Sequence, residues 1–316
     1  MRTTSNPALL FLFLFLAACG GGASGGGLDS IEPDDVVRTT AYPVHFLTER
    51  LAGSEIEVEL VLPADEDPIF WQPPREALAA LQGSRLIVTN GADFERWMRS
   101  ASLPRTRVVR SADGFDDRHL TFQDTTHSHG PTGEHSHEGT DGHTWMDPRN
   151  AEDQALAIAA ALAEAFPERA DAVKSRMVEL RGELRELDRR YAELAPQLAA
   201  VQLIASHPAY DYIADRYGLE ITNLDLDPSA ELDEAALDSV VAAQDGERTN
   251  ILLWESAPLS QTASRLADEL GVRSIVFSPA EGAPEAGGPD YLAIMHANLD
   301  RLREAAGLPA DAGGDE

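Results

Sequence analysis

The chain has 316 residues, with 54 acidic against 25 basic side chains and a formal net charge of −29. Such an acidic surface repels nucleic acid and attracts cations. The single cysteine excludes an intramolecular disulfide and a thiolate metal site, so any metal must be held by His nitrogen and carboxylate oxygen.

The chain opens on a pattern of export. Arg2 precedes the apolar run Leu9–Leu16, which falls short of the roughly 20 residues a membrane-spanning helix needs. It fits the h-region of a cleaved signal peptide over residues 1–18. Leu16-Ala17-Ala18-Cys19 looks like a bacterial lipobox, with Cys19 as the lipidation site and a glycine-rich tether over 19–34 behind it.

From there short apolar strands alternate with helical periodicity. Strands are expected at 36–40, 55–62 and 86–89, with helices near 45–52 and 75–81. A second half repeats the rhythm. Its strands are expected at 203–206, 220–223, 251–254 and 274–277, and its helices at 208–217, 232–244, 259–270 and 290–305. Alternation of this kind implies parallel sheets and an α/β fold. Between the halves Ala170, Val173, Met177, Leu180, Leu184, Leu187, Tyr191 and Leu194 recur at steps of three and four. Pro167 can open that helix and Pro196 must close it. Its spacing also suits a coiled coil, but strand–helix patterns on both sides favour a rigid strut joining two lobes. The expected division is an N-terminal lobe over 35–148, helices over 149–200, a C-terminal lobe over 201–305 and an acidic tail over 306–316. Residues 123–141 and 281–289 lack apolar periodicity and are expected to be disordered.

Five of the nine histidines fall between His127 and His143. His-Ser-His occurs twice, and such tracts bind metal. His127, His129, His135 and His137 are candidates for loose collection, because a flexible tract loses ordering entropy on binding. A tight site needs rigid supports. His143 precedes the start of a helix, while His207 and Glu255 each follow a strand of the second half, where α/β proteins hold ligands.

Tyr42-Pro43, Leu62-Pro63, Asp67-Pro68, Asn90-Gly91, His143-Thr144-Trp145-Met146-Asp147-Pro148 and Ser206-His207-Pro208 occur in an order that resembles the zinc- and manganese-type solute-binding proteins of ABC importers. The resemblance runs from Thr39 to Asp300, and the His-x-Trp-x-Asp-Pro block is its most specific part. It implies two α/β lobes joined by one long helix, with metal in the cleft between them. It implies a receptor that hands Zn2+, or Mn2+, to an ABC permease in the inner membrane, acting as a lipid-anchored monomer of the cell envelope with no catalytic role. His143 and His207 match two of the family's ligands. Ile69 stands where that family has its first histidine, and Ser278 where it has an aspartate. Glu255 is therefore the expected third ligand, with Glu66 or Asp67 as possible additions. A periplasmic zinc buffer and, more remotely, a zinc hydrolase share the ligand chemistry. The hydrolase lacks a His-Glu-x-x-His or Gly-x-Ser-x-Gly motif.

Overall fold

The computed structural model describes residues 33–64, 66–122, 125–128, 134–137 and 139–310. The expected signal peptide, Cys19, His129 and the end of the acidic tail lie outside these residues, and only the backbone of His127, His135 and His137 is described.

Two four-stranded sheets carry the fold. The first is built from β1 (Val36–Thr39), β2 (Glu57–Leu60), β3 (Leu86–Thr89) and β4 (Val108–Arg110), in the order β2-β1-β3-β4. The second is built from β7 (Val201–Ala205), β8 (Ile221–Asn223), β9 (Thr249–Trp254) and β10 (Arg273–Val276), in the order β10-β9-β7-β8. Every pairing within both is parallel. Read from the opposite edge, the second sheet repeats the order of the first. Each reverses direction between its first and third strands, and the crevice at such a reversal is where open α/β sheets hold ligands. In the second sheet those strands are β7 and β9, which lead into His207 and Glu255.

The helices are α1 (Tyr42–Ala52), α2 (Arg75–Gly83), α3 (Pro148–Ala165), α4 (Ala170–Leu194), α5 (Asp211–Tyr217), α6 (Glu234–Ala243), α7 (Ser260–Leu270) and α8 (Tyr291–Ala305). At 1.5 Å per residue, the 25 residues of α4 span about 38 Å. Its buried stripe is Val173, Met177, Leu180, Leu184, Leu187, Tyr191 and Leu194. That stripe belongs to one continuous core with Val37 and Val88 of the first sheet and Leu203 and Leu253 of the second. The periodicity is thus consumed by α1, α3 and α8, which answers the coiled-coil alternative in favour of the strut. Separate clusters cover the outer faces, with Ile87, Leu81 and Trp97 on the first sheet and Leu252, Trp254 and Leu266 on the second.

Three sequence expectations change. The strand β4 is absent from them, since Val108-Val109 is too short to show periodicity. The helix expected at 208–217 starts at Asp211 after a non-helical Tyr210 (φ −116°), because the chain first turns, with the Ala209 amide donating to His207 O at 2.9 Å. Within the stretch expected to be disordered, β5 (Thr125–Ser128) pairs antiparallel with β6 (Glu134–His137), and Thr121 bridges Thr140.

Candidate metal centre

Four short connections deliver the site. Beyond β7, the Ser206 amide donates to Leu253 O (2.9 Å) and Ser206 O accepts from the Leu226 amide (3.0 Å), which fixes the chain on both sides as it enters His207. Beyond β9 comes Glu255, with Trp254 O accepting from the Phe277 amide at 2.7 Å. Beyond β10, Asn298 clamps Ser278 through both its amide (3.0 Å) and its carbonyl (2.7 Å). The Ser278 hydroxyl accepts from the Ala280 amide at 3.2 Å, and Ala280 takes a positive φ of 57°. This tight turn presents Glu281.

The fourth connection comes from the first half. Asp141 follows the bridge at Thr140, its amide donating to Leu120 O at 2.8 Å. Gly142 lies so close to Phe94 that a Cβ there would meet its side chain at 2.7 Å, so only glycine lets the loop seat. Asn90, at the end of β3 and fully buried, donates through Nδ2 to Gly142 O at 2.8 Å. Its Oδ1 accepts from Gln154 Nε2 at 2.8 Å and from the Thr144 hydroxyl at 3.3 Å. Buried Glu95 accepts from the Thr40 hydroxyl (2.6 Å) and the amides of Asn90 (2.6 Å) and Gly91 (3.2 Å), joining the ends of β1 and β3. Burial pushes the Glu95 carboxyl above its ordinary range, against the pull of those donors. Asn90→Ala would leave Gly142 O and part of Gln154 unpaired in the interior. At about 1–3 kcal/mol for each unmade buried bond, the expected loss of stability is about 2–4 kcal/mol, read by denaturant unfolding. A loss below about 1 kcal/mol would refute this account of the loop's support.

Three further bonds tie the His143 loop to the second half. Trp145 Nε1 donates to Pro279 O (2.7 Å), Tyr291 OH to Trp145 O (2.7 Å) and Tyr212 OH to Asp141 O (2.8 Å). His143 itself is fully buried and His207 is 7% exposed. Their rings stand 5.7 Å apart and nearly perpendicular, at 81°. His143 Nε2 is 2.8 Å from Glu281 Oε1, and His207 Nε2 is 3.9 Å from the same oxygen. One ligand atom from each of His143, His207 and Glu281 lies within 4.8 Å of the others. Donors around tetrahedral zinc stand about 3.4 Å apart when the bonds are about 2.1 Å, so small movements would close the cluster on an ion.

The other nitrogen of each ring faces a second carboxylate. Asp141 Oδ1 is 2.6 Å from His143 Nδ1, and Glu255 Oε2 is 3.9 Å from His207 Nδ1. Burial pulls the His143 imidazole down, but the Asp141 and Glu281 carboxylates outweigh it and hold the pKa up at about 10. Burial, with the charges of Glu281 and Asp67 added, pushes the Glu255 carboxyl up to about 8.

Of the sequence candidates, the fold brings His143 and His207 together and sets Glu255 behind His207, outside the three-residue cluster. Glu66 and Asp67 are also outside it. Asp67 Oδ1 accepts from the amides of Ile69 (2.8 Å) and Phe70 (3.2 Å), and Ile69 is buried in the core. The residue sequence reasoning missed is Glu281. It lies in the segment expected to be disordered, three residues beyond Ser278. A carboxylate five residues beyond the end of β10, after a Pro-Ala turn, is the available signal. Asp141, at the end of the His-rich stretch expected to be disordered, is fully buried.

Paired parallel sheets, a long connecting helix and a His-His-Glu cluster where the halves meet define a two-lobed solute-binding protein. Residues 37–305 match the model of the ZnuA family, described as zinc-uptake complex component A, periplasmic, and the chain belongs to that family. It is 28% identical over 301 residues to the high-affinity zinc uptake system protein ZnuA of Bacillus subtilis (strain 168), covering 93% of this chain and 94% of that one. The zinc-binding lipoprotein AdcA of Streptococcus pneumoniae (strain ATCC BAA-255 / R6) is 27% identical over 300 residues. The match covers 92% of this chain but only 58% of AdcA's length. The crystal structure of the metal-dependent lipoprotein YcdH from Bacillus subtilis superposes with a TM-score of 0.73 at 25% identity, covering 86% of this chain and 98% of that one. The Zn(II)-bound ZnuA-like domain of Streptococcus pneumoniae AdcA has the same fold, with a TM-score of 0.73 at 24% identity, again over 86% and 98%.

Proposed function

We propose that this chain is the extracytoplasmic receptor of a zinc ABC importer. It takes up Zn2+ between its halves through His143, His207 and Glu281 and passes the ion to a membrane permease. The observation that carries the reading is the convergence of these three side chains where the second sheet reverses its strand order. Two imidazoles and one carboxylate suit zinc better than manganese, which favours more oxygen. An incomplete protein shell leaves one position open, and a bound ion there is exchangeable cargo rather than a closed structural centre.

Among the described residues no helix is long and apolar enough to cross a membrane. Cys19, lipidated after removal of residues 1–18, tethers the chain, with 19–34 as the spacer. The naming of the AdcA relative as a lipoprotein supports this. Residues 35–148 and 201–305 act as the two lobes around the helices of 149–200. The His-rich tract gathers ions loosely.

Zinc titration against a competing chelator tests the reading. The mature chain is expected to hold one ion tightly and others weakly. Deleting residues 126–137, which spares Thr140 and Asp141, should remove the weak sites and leave the tight one within about threefold, since it keeps every framed ligand. Loss of the tight site with that deletion would place the binding in the tract instead.

A further inference from the structure

We propose that Asp141 is a positioning residue for metal capture. It occupies the Nδ1 side of His143 so that only Nε2 is offered to the ion. The proposal rests on reading the His143–His207–Glu281 cluster as the zinc site.

Asp141 is wholly buried, and a carboxylate is costly to bury without compensation. Its Oδ1 receives the His143 amide at 2.9 Å and lies 2.6 Å from His143 Nδ1. A carboxylate oxygen can only accept, so Nδ1 must carry the hydrogen between them. Nε2 donates to Glu281 in the metal-free protein, and it is the nitrogen whose proton a cation displaces while Asp141 keeps the one on Nδ1. Asp141 Oδ2 makes no hydrogen bond among the described residues, so the carboxylate serves no competing partner.

Both halves fix the backbone that carries it. The Asp141 amide is held by Leu120 O at 2.8 Å and its carbonyl by Tyr212 OH at 2.8 Å. Tyr212 lies on α5, directly beyond the His207 loop, and its oxygen also accepts from the Leu120 amide at 3.1 Å. Phe94 and Trp145 flank the His143 ring, with centroids 5.9 and 5.5 Å away. The carboxylate therefore sets the ring's tilt and its tautomer, and its charge strengthens Nε2 as a donor, as outer carboxylates do for metal-bound histidines.

Asp141→Asn keeps the shape, removes the charge and introduces an N–H that can donate to Nδ1 and reverse the tautomer. Its zinc affinity is expected to fall about 10- to 100-fold. In [15N]histidine spectra, the zinc-loaded wild type should show a strongly deshielded, slowly exchanging His143 Nδ1–H with Nε2 on the metal. That signal should be lost or shifted upfield in the variant. Zinc affinity within threefold of wild type would overturn the proposal, provided His143→Ala abolishes tight binding. If His143→Ala is also neutral, it is the reading of the site that fails. Should Asp141→Asn not fold, the wild-type spectrum alone decides, because metal at Nδ1 with the proton on Nε2 overturns the assignment.

Discussion

Glu281→Ala should cost zinc binding on the order of a hundredfold or more, matching His143→Ala and His207→Ala and exceeding Glu255→Ala. A lost ligand should exceed the ~10- to 100-fold typical of an outer partner. Glu281 Oε1 stands near both histidines, 2.8 Å from one Nε2 and 3.9 Å from the other. Glu255 Oε2 lies 3.9 Å from His207 Nδ1, whereas Glu281 approaches Nε2. The Glu255 carboxylate suits orienting that imidazole better than touching the ion. Ser278→Asp, the change suggested by the family pattern, should bring no gain. Ser278 is clamped by Asn298 and accepts from Ala280, and the turn it forms already delivers a carboxylate. Chelator competition on the purified variants checks the ranking. If Glu281→Ala binds normally while Glu255→Ala loses the ion, the ligand set reverts to His143, His207 and Glu255.

Much of this molecule is written in local pattern. The strands with buried runs, such as Leu86–Val88 and Ile251–Trp254, announce themselves because both faces are covered and every residue is apolar. The stripe of α4 is legible for the same reason, since one helix face is buried along its whole length. His143 and His207 are legible because each sits at a punctuated boundary, one before the Asp147 cap and Pro148, the other before Pro208. Glu281 and Asp141 are not. Glu281 gains its meaning from His143, 138 residues away, and Asp141 is held in place by Tyr212, 71 residues away. Around them the chain is glycine- and proline-rich, so composition argues for disorder. Asn298 on α8 and Tyr212 on α5 supply the order, and neither shows in a local window.

Zinc capture should release protons near neutrality, and apparent affinity should climb with pH by up to about a hundredfold per unit between pH 6 and 8. In the metal-free protein the Asp141 and Glu281 carboxylates overcome burial and hold His143 near 10 against an ordinary 6.5. Burial and the charges of Glu281 and Asp67 hold Glu255 near 8 against an ordinary 4.5. At pH 7 both groups carry protons. A cation between His143 Nε2 and Glu281 replaces the first, and its charge drives off the second. Each proton displaced adds about tenfold in affinity per pH unit. The same shifts fix the sign for stability. Both folded pKa values lie above the unfolded ones, so the metal-free fold binds more protons than the unfolded chain. Glu255 does so from about pH 4.5 to 8 and His143 from about pH 6.5 to 10. Their contribution is complete below those windows and is lost as pH rises through them. The zinc-free protein should therefore lose stability from pH 6 to 9, and the gap in Tm between zinc-loaded and zinc-free protein should widen. Calorimetric titration at pH 7 in buffers of different ionisation enthalpy counts the protons directly. An observed heat independent of buffer, together with an affinity flat from pH 6 to 8, would show that no such protons are held at the site.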